Sequence, residues 1–198
     1  GTYSVTTTSA AGCTSLTATV SVTVNQTPIA PTAGSNSPVC SGQTLSLTAS
    51  TITGATYSWS GPNSFTSTSQ NPTIINVTTD AAGTYSVTAT KSGCTGPAGT
   101  VTVTINQTPA APAAGSNSPI CAGTDLSLTA SSTGITYSWN GPNSFTSTTQ
   151  NPVITPATTS NSGTYSVTAT ENGCTGTAGT VSVTINPLPI APTAGSNS

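Results

Sequence analysis

The sequence GTYSVTAT occurs unchanged at 83–90 and at 163–170, and its first six residues also open the chain at 1–6. Each copy is followed by a Gly-Cys pair and then by a run that alternates Val or Ile with Ser or Thr: TVSVTV, TVTVTI and TVSVTI. The cysteines of these pairs are Cys13, Cys94 and Cys174, which lie about 80 residues apart. A fixed period of this length indicates a tandem array of one module.

The alternation of apolar and polar residues predicts β-strands in every repeat. In TLSLTAS, Leu45 and Leu47 are expected to face the core, while the residues between them face solvent. In TYSW, Tyr57 and Trp59 fall on one face of a second strand. No helical period is visible, so the predicted fold class is all-β.

The residues before Tyr85 resemble a corner known from immunoglobulin-like domains. NPTIINVTTDAA leads into Gly83 and Tyr85, as the end of strand E leads into strand F in that fold. There the tyrosine ring packs in the core, and its hydroxyl bonds back to the backbone. Ala81 and Asn161 occupy the usual acidic position of the turn, so we expect weaker side-chain hydrogen bonding at this point.

A tryptophan on strand C is a second immunoglobulin-like feature, and TYSW carries one in both repeats. The resemblance implies tandem immunoglobulin-like β-sandwich repeats of about 80 residues. It also implies a set of fold-defining core residues: Trp59, Tyr85, Trp139 and Tyr165.

A proline-rich linker separates the modules. NQTPIAPTAGSNSP begins at Asn25 and recurs as NQTPAAPAAGSNSP from Asn106. Because proline fixes φ and lacks a donor, we expect an extended, stiff connection and a rod-like array. The predicted domains are strands F and G of a preceding module (1–27), two whole modules (28–108 and 109–188) and the start of a following module (189–198). We therefore expect the chain to be a segment of a longer polypeptide.

The five cysteines are distributed by module, with two in each whole one. This distribution predicts the disulfides Cys40–Cys94 and Cys121–Cys174, and a partner upstream of the chain for Cys13. Closing loops of this length contributes roughly 4 kcal/mol. Disulfides also indicate an oxidising, extracytoplasmic setting. One cysteine pair per module and no histidine cannot fill a zinc shell, so no metal is predicted.

Charge is nearly absent, because the chain has one Lys or Arg and three Asp or Glu residues. Binding of nucleic acid or of anionic lipid needs clustered basic residues, so neither partner is expected. No apolar run approaches the roughly 20 residues of a membrane span, so no direct membrane insertion is expected.

The same composition argues against an enzyme. Without histidine, Ser-His and Cys-His arrangements are excluded within this chain. Asp125 and Glu171 could form a carboxylate pair in the second module, but Thr44 and Lys91 take their places in the first. We predict no catalytic residue, no cofactor and no calcium site.

Two surface features leave a binding role open. Thr102 and Thr104 belong to a ladder of outward threonines that could meet carbohydrate or ice, although solvated threonine on a half-buried strand is the favoured interpretation. Phe65 and Phe145 lie in identical GPNSFTST segments and could stack on a glycan or on a neighbouring module. Packing in the core is the favoured interpretation for both.

Four segments together carry a family resemblance: PVCSGQTLSLTA, YSWSGPNSFTSTSQNP, GTYSVTATKSGC and TVTVTI. They resemble the Ig-like or PKD-like tandem repeats of giant secreted surface adhesins of Bacteroidota-type bacteria. The family implies an extracellular or cell-surface stalk, usually exported by the type IX secretion system, and no catalytic residues. The expected function is therefore a structural rod segment of a large adhesin or surface fibre. Its expected partners are neighbouring modules and lateral copies in a fibre. The alternatives are a module that binds carbohydrate or ice and a subunit of a self-assembling extracellular filament.

Overall fold

A computed structural model of the chain describes residues 1–131 and 136–193. Within these residues the regular structure consists of β-strands and three short 3-10 turns, at Pro62–Ser64, Thr79–Ala81 and Thr159–Asn161. The chain forms two immunoglobulin-like sandwich units of about 80 residues each, which confirms the predicted fold class.

Contacts divide the chain into two compact units. The first comprises Gly1–Asn36, Leu45–Ile74 and Ala81–Val103. The second comprises Ser37–Thr44, Ile75–Asp80 and Thr104–Ser198. Two short segments of the first sequence repeat, 37–44 and 75–80, therefore group with the second unit, whereas the predicted boundaries run at 27/28 and 108/109.

The strands of the first unit are β1 (Thr2–Val5), β2 (Ala18–Ser21), β3 (Ala33–Ser35), β5 (Leu45–Ala49), β6 (Thr56–Gly61), β7 (Phe65–Ser67), β8 (Thr73–Ile74), β9 (Gly83–Lys91), β10 (Cys94–Thr95) and β11 (Gly99–Val103). β1 and β2 form a separate antiparallel pair. One layer of the sandwich has the order β3-β5-β8, and the other has the order β10-β9-β6-β7, with β11 also on β9.

The strands of the second unit are β4 (Val39–Cys40), β12 (Ile105–Asn106), β13 (Ala114–Ser116), β14 (Ile120–Cys121), β15 (Leu126–Ala130), β16 (Thr136–Gly141), β17 (Phe145–Ser147), β18 (Val153–Ile154), β19 (Gly163–Glu171), β20 (Cys174–Thr175), β21 (Gly179–Val183) and β22 (Ile185–Asn186). The layers β13-β15-β18 and β17-β16-β19-β20 repeat the topology of the first unit, with β21 on β19. Two short parallel pairs, β4 with β12 and β14 with β22, complete it.

The alternation of the sequence explains which side chains enter the core. Leu45 and Leu47 of β5 are buried, and Thr48 between the two buried residues Leu47 and Ala49 is exposed. Strand β9 buries Tyr85, Val87 and Ala89 in the same way. Burying a leucine or valine side chain contributes roughly 1.5–3 kcal/mol, so each strand is held by its apolar face.

Each tryptophan is anchored by a polar contact at the edge of the core. The Trp59 indole N–H donates to the Gln70 carbonyl at 3.2 Å, and the Gln70 amide donates to the Ala49 carbonyl at 2.8 Å. Trp139 makes the same 3.2 Å bond to Gln150 in the second unit. A buried indole needs such an acceptor, because an unpaired N–H would retain its desolvation cost.

The predicted tyrosine corner is present in both units. The Tyr85 hydroxyl donates to the Ala81 carbonyl at 2.9 Å, and the Tyr165 hydroxyl donates to the Asn161 carbonyl at 2.9 Å. Burial of each ring raises the pKa of its hydroxyl above the ordinary 10.0. Gly61 permits the close approach of strand β6, since a Cβ at this position would overlap the Tyr85 ring.

Candidate functional site

One disulfide is formed among the described residues, between Cys40 and Cys174. Their Cα atoms are 5.6 Å apart, and 134 positions separate them along the chain. Cys40 belongs to the first sequence repeat and Cys174 to the second, although both lie in the second compact unit. The predicted pairings Cys40–Cys94 and Cys121–Cys174 are therefore wrong in this structure.

Strand β4 places Cys40. It runs parallel to β12, so that Val39 is opposite Ile105 and Cys40 is opposite Asn106. The Ser41 backbone N–H donates to the Asn106 carbonyl at 2.8 Å. Cys40 thus lies beside the end of the strand from which the chain leaves for the second repeat.

A tight hairpin places Cys174. Asn172 and Gly173 both have positive φ, 48° and 79°, and connect β19 to β20 with Glu171 opposite Cys174. Two consecutive positive φ angles characterise the type I′ turn, which explains why a glycine precedes Cys174. Ser92 and Gly93 have the same signs of φ before Cys94. The Asn106 side-chain amide donates to the Asn172 carbonyl at 2.9 Å, and the Cys174 sulfur lies 3.9 Å from the Asn106 carbonyl oxygen.

A second polar contact stabilises the same place. The Thr108 backbone N–H donates to the Ser41 hydroxyl at 2.9 Å, and the Thr108 hydroxyl donates to the Ser41 carbonyl at 2.8 Å. We refer to Cys40, Ser41, Asn106, Thr108 and Cys174 as the junction site. Covalent and hydrogen-bonded ties there join the start of one sequence repeat, the linker and the hairpin of the next repeat.

The error in the predicted pairing has a geometric cause. The two cysteines of one repeat lie beside different linkers. Cys40 pairs with Asn106 near the end of the repeat, whereas the Cys94 sulfur is 3.8 Å from the carbonyl of Asn25, just before the repeat begins. Cys94 and Cys121 are free thiols, Cys94 half-buried and Cys121 exposed. Cys13 is also a free, exposed thiol, and its predicted upstream partner stays a prediction.

The predicted core residues lie deep in the fold. Trp59, Tyr85, Trp139 and Tyr165 are all essentially inaccessible to solvent. The residues of the possible contact surfaces differ from one another. Thr102 and Thr104 are exposed, but Phe65 and Phe145 are half-buried, and each packs edge-to-face on a tyrosine of the core, with ring centroids 5.5 Å apart.

The corner turn of the second unit has more side-chain hydrogen bonding than expected. The Asn161 side-chain oxygen accepts the Thr158 backbone N–H and the Thr158 hydroxyl, both at 2.9 Å. Asn161 is buried, and this capping arrangement satisfies its side chain there. Ala81 takes the same place in the first unit and has no polar side chain, so the expectation of weaker side-chain bonding holds only for that unit.

Sequence reasoning missed the asparagines of the linker. Asn25 and Asn106 are the first residues of two linkers, and their amides donate to the Ser92 and Asn172 carbonyls at 2.8 and 2.9 Å. The available signal was their recurrence, since Asn186 occupies the same place in the third copy. Recurrence marks the position but does not show that its partner lies in the hairpin of another segment.

Two kinds of feature are absent from the described residues, 1–131 and 136–193. No group of three or more His, Cys, Asp or Glu side chains is placed to hold a metal ion. No helix in this part of the chain has the length and apolar character needed to cross a membrane.

Residues 109–187 match the family described as "Ig-like domain CHU_C associated". A CHU_C-associated Ig-like domain with a disulfide suggests an extracellular or surface protein. A tandem of Ig-like domains is typical of surface and adhesion proteins, and such domains are typically non-catalytic. No curated protein matches the chain.

The solved structures that match the chain are distant in sequence. One is a mouse coronavirus receptor-binding domain complexed with its murine receptor, with 14% identity over 78% of this chain and 99% of the matched chain, and a TM-score of 0.48. Murine CEACAM1b has 14% identity over 80% of this chain and all of its own, with a TM-score of 0.47. The three N-terminal domains of the bacteriophage RB49 outer capsid protein Hoc have 20% identity over 80% of this chain and 59% of their own, with a TM-score of 0.40.

Proposed function

We propose that this chain is a load-bearing repeat segment of an extracellular stalk or surface fibre. The observation that carries the proposal is the Cys40–Cys174 disulfide, because its two cysteines come from successive sequence repeats. A bond inside one repeat would protect that repeat alone. A bond between repeats gives tension a covalent route from residue 40 to residue 174 that bypasses the chain between them.

The linker supports the same role. The polar contacts of Ser41 with Thr108, and of Asn106 with Asn172, fix the segment between repeats to the structure on both sides of it. Ties of this kind suit a segment that carries tension along the chain.

Pulling the oxidised 198-residue chain by its ends tests the proposal. The disulfide withholds the 134 residue steps between Cys40 and Cys174 from extension. Reduction should release them and lengthen the fully unfolded chain by about 450 Å, at roughly 3.4 Å per residue. Cys40→Ser should behave like the reduced protein without any reductant, and Cys94→Ser should behave like the oxidised parent. Equal contour lengths with and without reductant would contradict a load-bearing bond.

The native polypeptide offers a second test. A stalk requires many repeats, so denaturing electrophoresis of the protein from its source should give a mass several times 19.2 kDa. A native mass close to that value would instead favour the alternative of a small subunit that assembles into a filament.

A further inference from the structure

The junction site is built from three parts: the carbonyl of a linker asparagine, a cysteine near the start of one repeat and a cysteine in the hairpin of the next repeat. The Asn106 carbonyl lies at its centre, where it accepts the Ser41 N–H at 2.8 Å and lies 3.9 Å from the Cys174 sulfur. We call Cys40 and Cys121 start cysteines, because they precede the first long strand of their repeats. We call Cys94 and Cys174 hairpin cysteines, because they follow the type I′ turn.

The hairpin half of a second junction site is already built around Cys94. The Asn25 amide donates to the Ser92 carbonyl at 2.8 Å, as Asn106 does to Asn172 at 2.9 Å. The Cys94 sulfur lies 3.8 Å from the Asn25 carbonyl, against 3.9 Å for Cys174 and Asn106. The only part without a counterpart among the described residues is a start cysteine paired with Asn25.

The start half of a third junction site is built around Cys121. Strand β14 runs parallel to β22 with Cys121 opposite Asn186, as Cys40 is opposite Asn106. The Ala122 N–H donates to the Asn186 carbonyl at 2.9 Å. Here the part without a counterpart among the described residues is a hairpin cysteine, and Cys121 is exposed.

We infer that Cys94 and Cys121 form inter-repeat disulfides in a longer array: Cys94 with the start cysteine of the preceding repeat, and Cys121 with the hairpin cysteine of the following repeat. The rule is that each start cysteine bonds to the hairpin cysteine one repeat later. It rests on the tandem array of the proposed function, but not on the mechanical role of that array.

Bond formation requires an oxidant, for which a small-molecule or protein disulfide suffices. One cysteine thiolate attacks the oxidant disulfide and displaces one of its thiols. The second cysteine thiolate then attacks the mixed disulfide and displaces the other. One S–S bond forms and one breaks, and the two electrons and two protons given up by the cysteines leave on two reduced oxidant thiols.

This rule makes consecutive disulfide loops overlap. The loop closed by Cys40 and Cys174 and the loop that begins at Cys121 share residues 121–174. Within an array that follows the rule, every interior residue then lies inside at least one closed loop. When one repeat unfolds, the neighbouring repeats therefore remain connected by disulfides.

A chain with a second copy appended in register tests the inference. Residues 1–186 are followed directly by 26–198, because Asn186 occupies the repeat position of Asn25. Cys94→Ser in the first copy and Cys121→Ser in the second copy remove the cysteines that lack a partner under the rule. The protein is folded in a glutathione redox buffer, its free thiols are alkylated, and it is unfolded without reductant and cleaved after Asp and Glu. The natural cleavage points are Asp80, Asp125 and Glu171.

The expected product is the 81–125 fragment of the first copy disulfide-bonded to the 81–125 fragment of the second copy. One alkylated cysteine, Cys13, should remain in the chain. A matched variant that also carries Cys121→Ser in the first copy should lose this product and show two alkylated cysteines, Cys13 and the second-copy Cys94.

Other products would overturn the inference. A bond from the second-copy Cys94 to the Cys40 of the same copy would restore pairing within a repeat. A covalent dimer in non-reducing electrophoresis would make the partner a second chain. Alkylation of both cysteines in a protein with intact Cys40–Cys174 bonds would show that the third site does not close, and absence of those bonds would remove the rule itself. None of these outcomes depends on the force measurement, so the two proposals fail separately.

Discussion

Cys94 and Cys174 follow the same eight-residue strand sequence and lie in the same hairpin register, opposite Lys91 and Glu171. Cys174 is disulfide-bonded and fully buried, whereas Cys94 is a half-buried thiol. The hairpins themselves are alike, since Ser92 and Asn172 have φ angles of 49° and 48° before the glycine. The difference therefore comes from the neighbouring segment: Cys174 has a start cysteine next to its linker, and Cys94 does not among the described residues.

The start cysteines Cys40 and Cys121 differ in the side chains that lie beside them. Around Cys40 the linker contact is polar, between Ser41 and Thr108. In the second repeat the same two positions hold Ala122 and Leu188, and Leu188 is exposed. The parallel pairing with the asparagine is common to both, so the backbone defines the junction, whereas these two side chains differ between the repeats.

The greatest loss of stability should follow when the disulfide that distinguishes the two hairpins is removed. Cys40→Ser should lower the free energy of unfolding of the oxidised protein by about 5 kcal/mol, because a loop of more than 100 residues is no longer closed in the unfolded chain. Denaturant unfolding followed by tryptophan fluorescence measures it. Cys121→Ser is the control, and it should change the same free energy by less than about 0.5 kcal/mol. Equal losses in the two variants would show that the bond is not stabilising.

A smaller effect should come from making the two corner turns alike. Asn161→Ala removes the acceptor of the Thr158 N–H and hydroxyl, and it should cost about 1 kcal/mol. The converse change, Ala81→Asn, places the same acceptor three residues after Thr78 and should stabilise the first repeat by a similar or smaller amount. Thermal unfolding of both variants measures the difference. A loss on Ala81→Asn would mean that the first corner cannot adopt the capped geometry.

A third change in stability, weaker than the other two, is shared by both repeats and appears at alkaline pH. Burial raises the pKa of Tyr85 and Tyr165 above 10.0, so the folded chain holds these protons to higher pH than the unfolded chain does. Stability should be unaffected below pH 10 and should fall as the pH rises above it. Midpoints of denaturant unfolding between pH 8 and 11.5 test this. Tyr85→Phe with Tyr165→Phe should flatten the decline, whereas Tyr3→Phe, at an exposed tyrosine, should not.

Much of the fold follows from local patterns. The period of about 80 residues, the alternating strands and the tyrosine of GTYSVTAT were enough to predict two immunoglobulin-like sandwiches and their buried tryptophans. These features are readable because strand burial has period two and because a buried Tyr hydroxyl needs a nearby backbone acceptor. Core packing was also the favoured interpretation for Phe65 and Phe145, and each packs on the tyrosine of its own repeat.

The disulfide was predicted incorrectly for a reason that is not local. Counting cysteines by repeat assumes that a bond closes within the unit that contains both residues. The assumption fails here because two residues of β4 pair in parallel with the end of the last strand, so Cys40 is carried to the exit of its repeat. Two-residue parallel pairings leave no periodic signal in a sequence, and nothing in PVCSG indicates the direction in which its cysteine lies.

The repeat, the all-β class, the core positions and the near absence of charge can all be read from the sequence, because each depends only on residue type and spacing along the chain. Which cysteines meet, and the binding of Asn25 and Asn106 to the hairpin carbonyls, were settled by long-range packing and could not be read from the sequence. Those contacts join segments that lie between 66 and 134 residues apart along the chain. Which segments meet depends on how whole strands pair and pack, and bond formation between side chains follows from that placement.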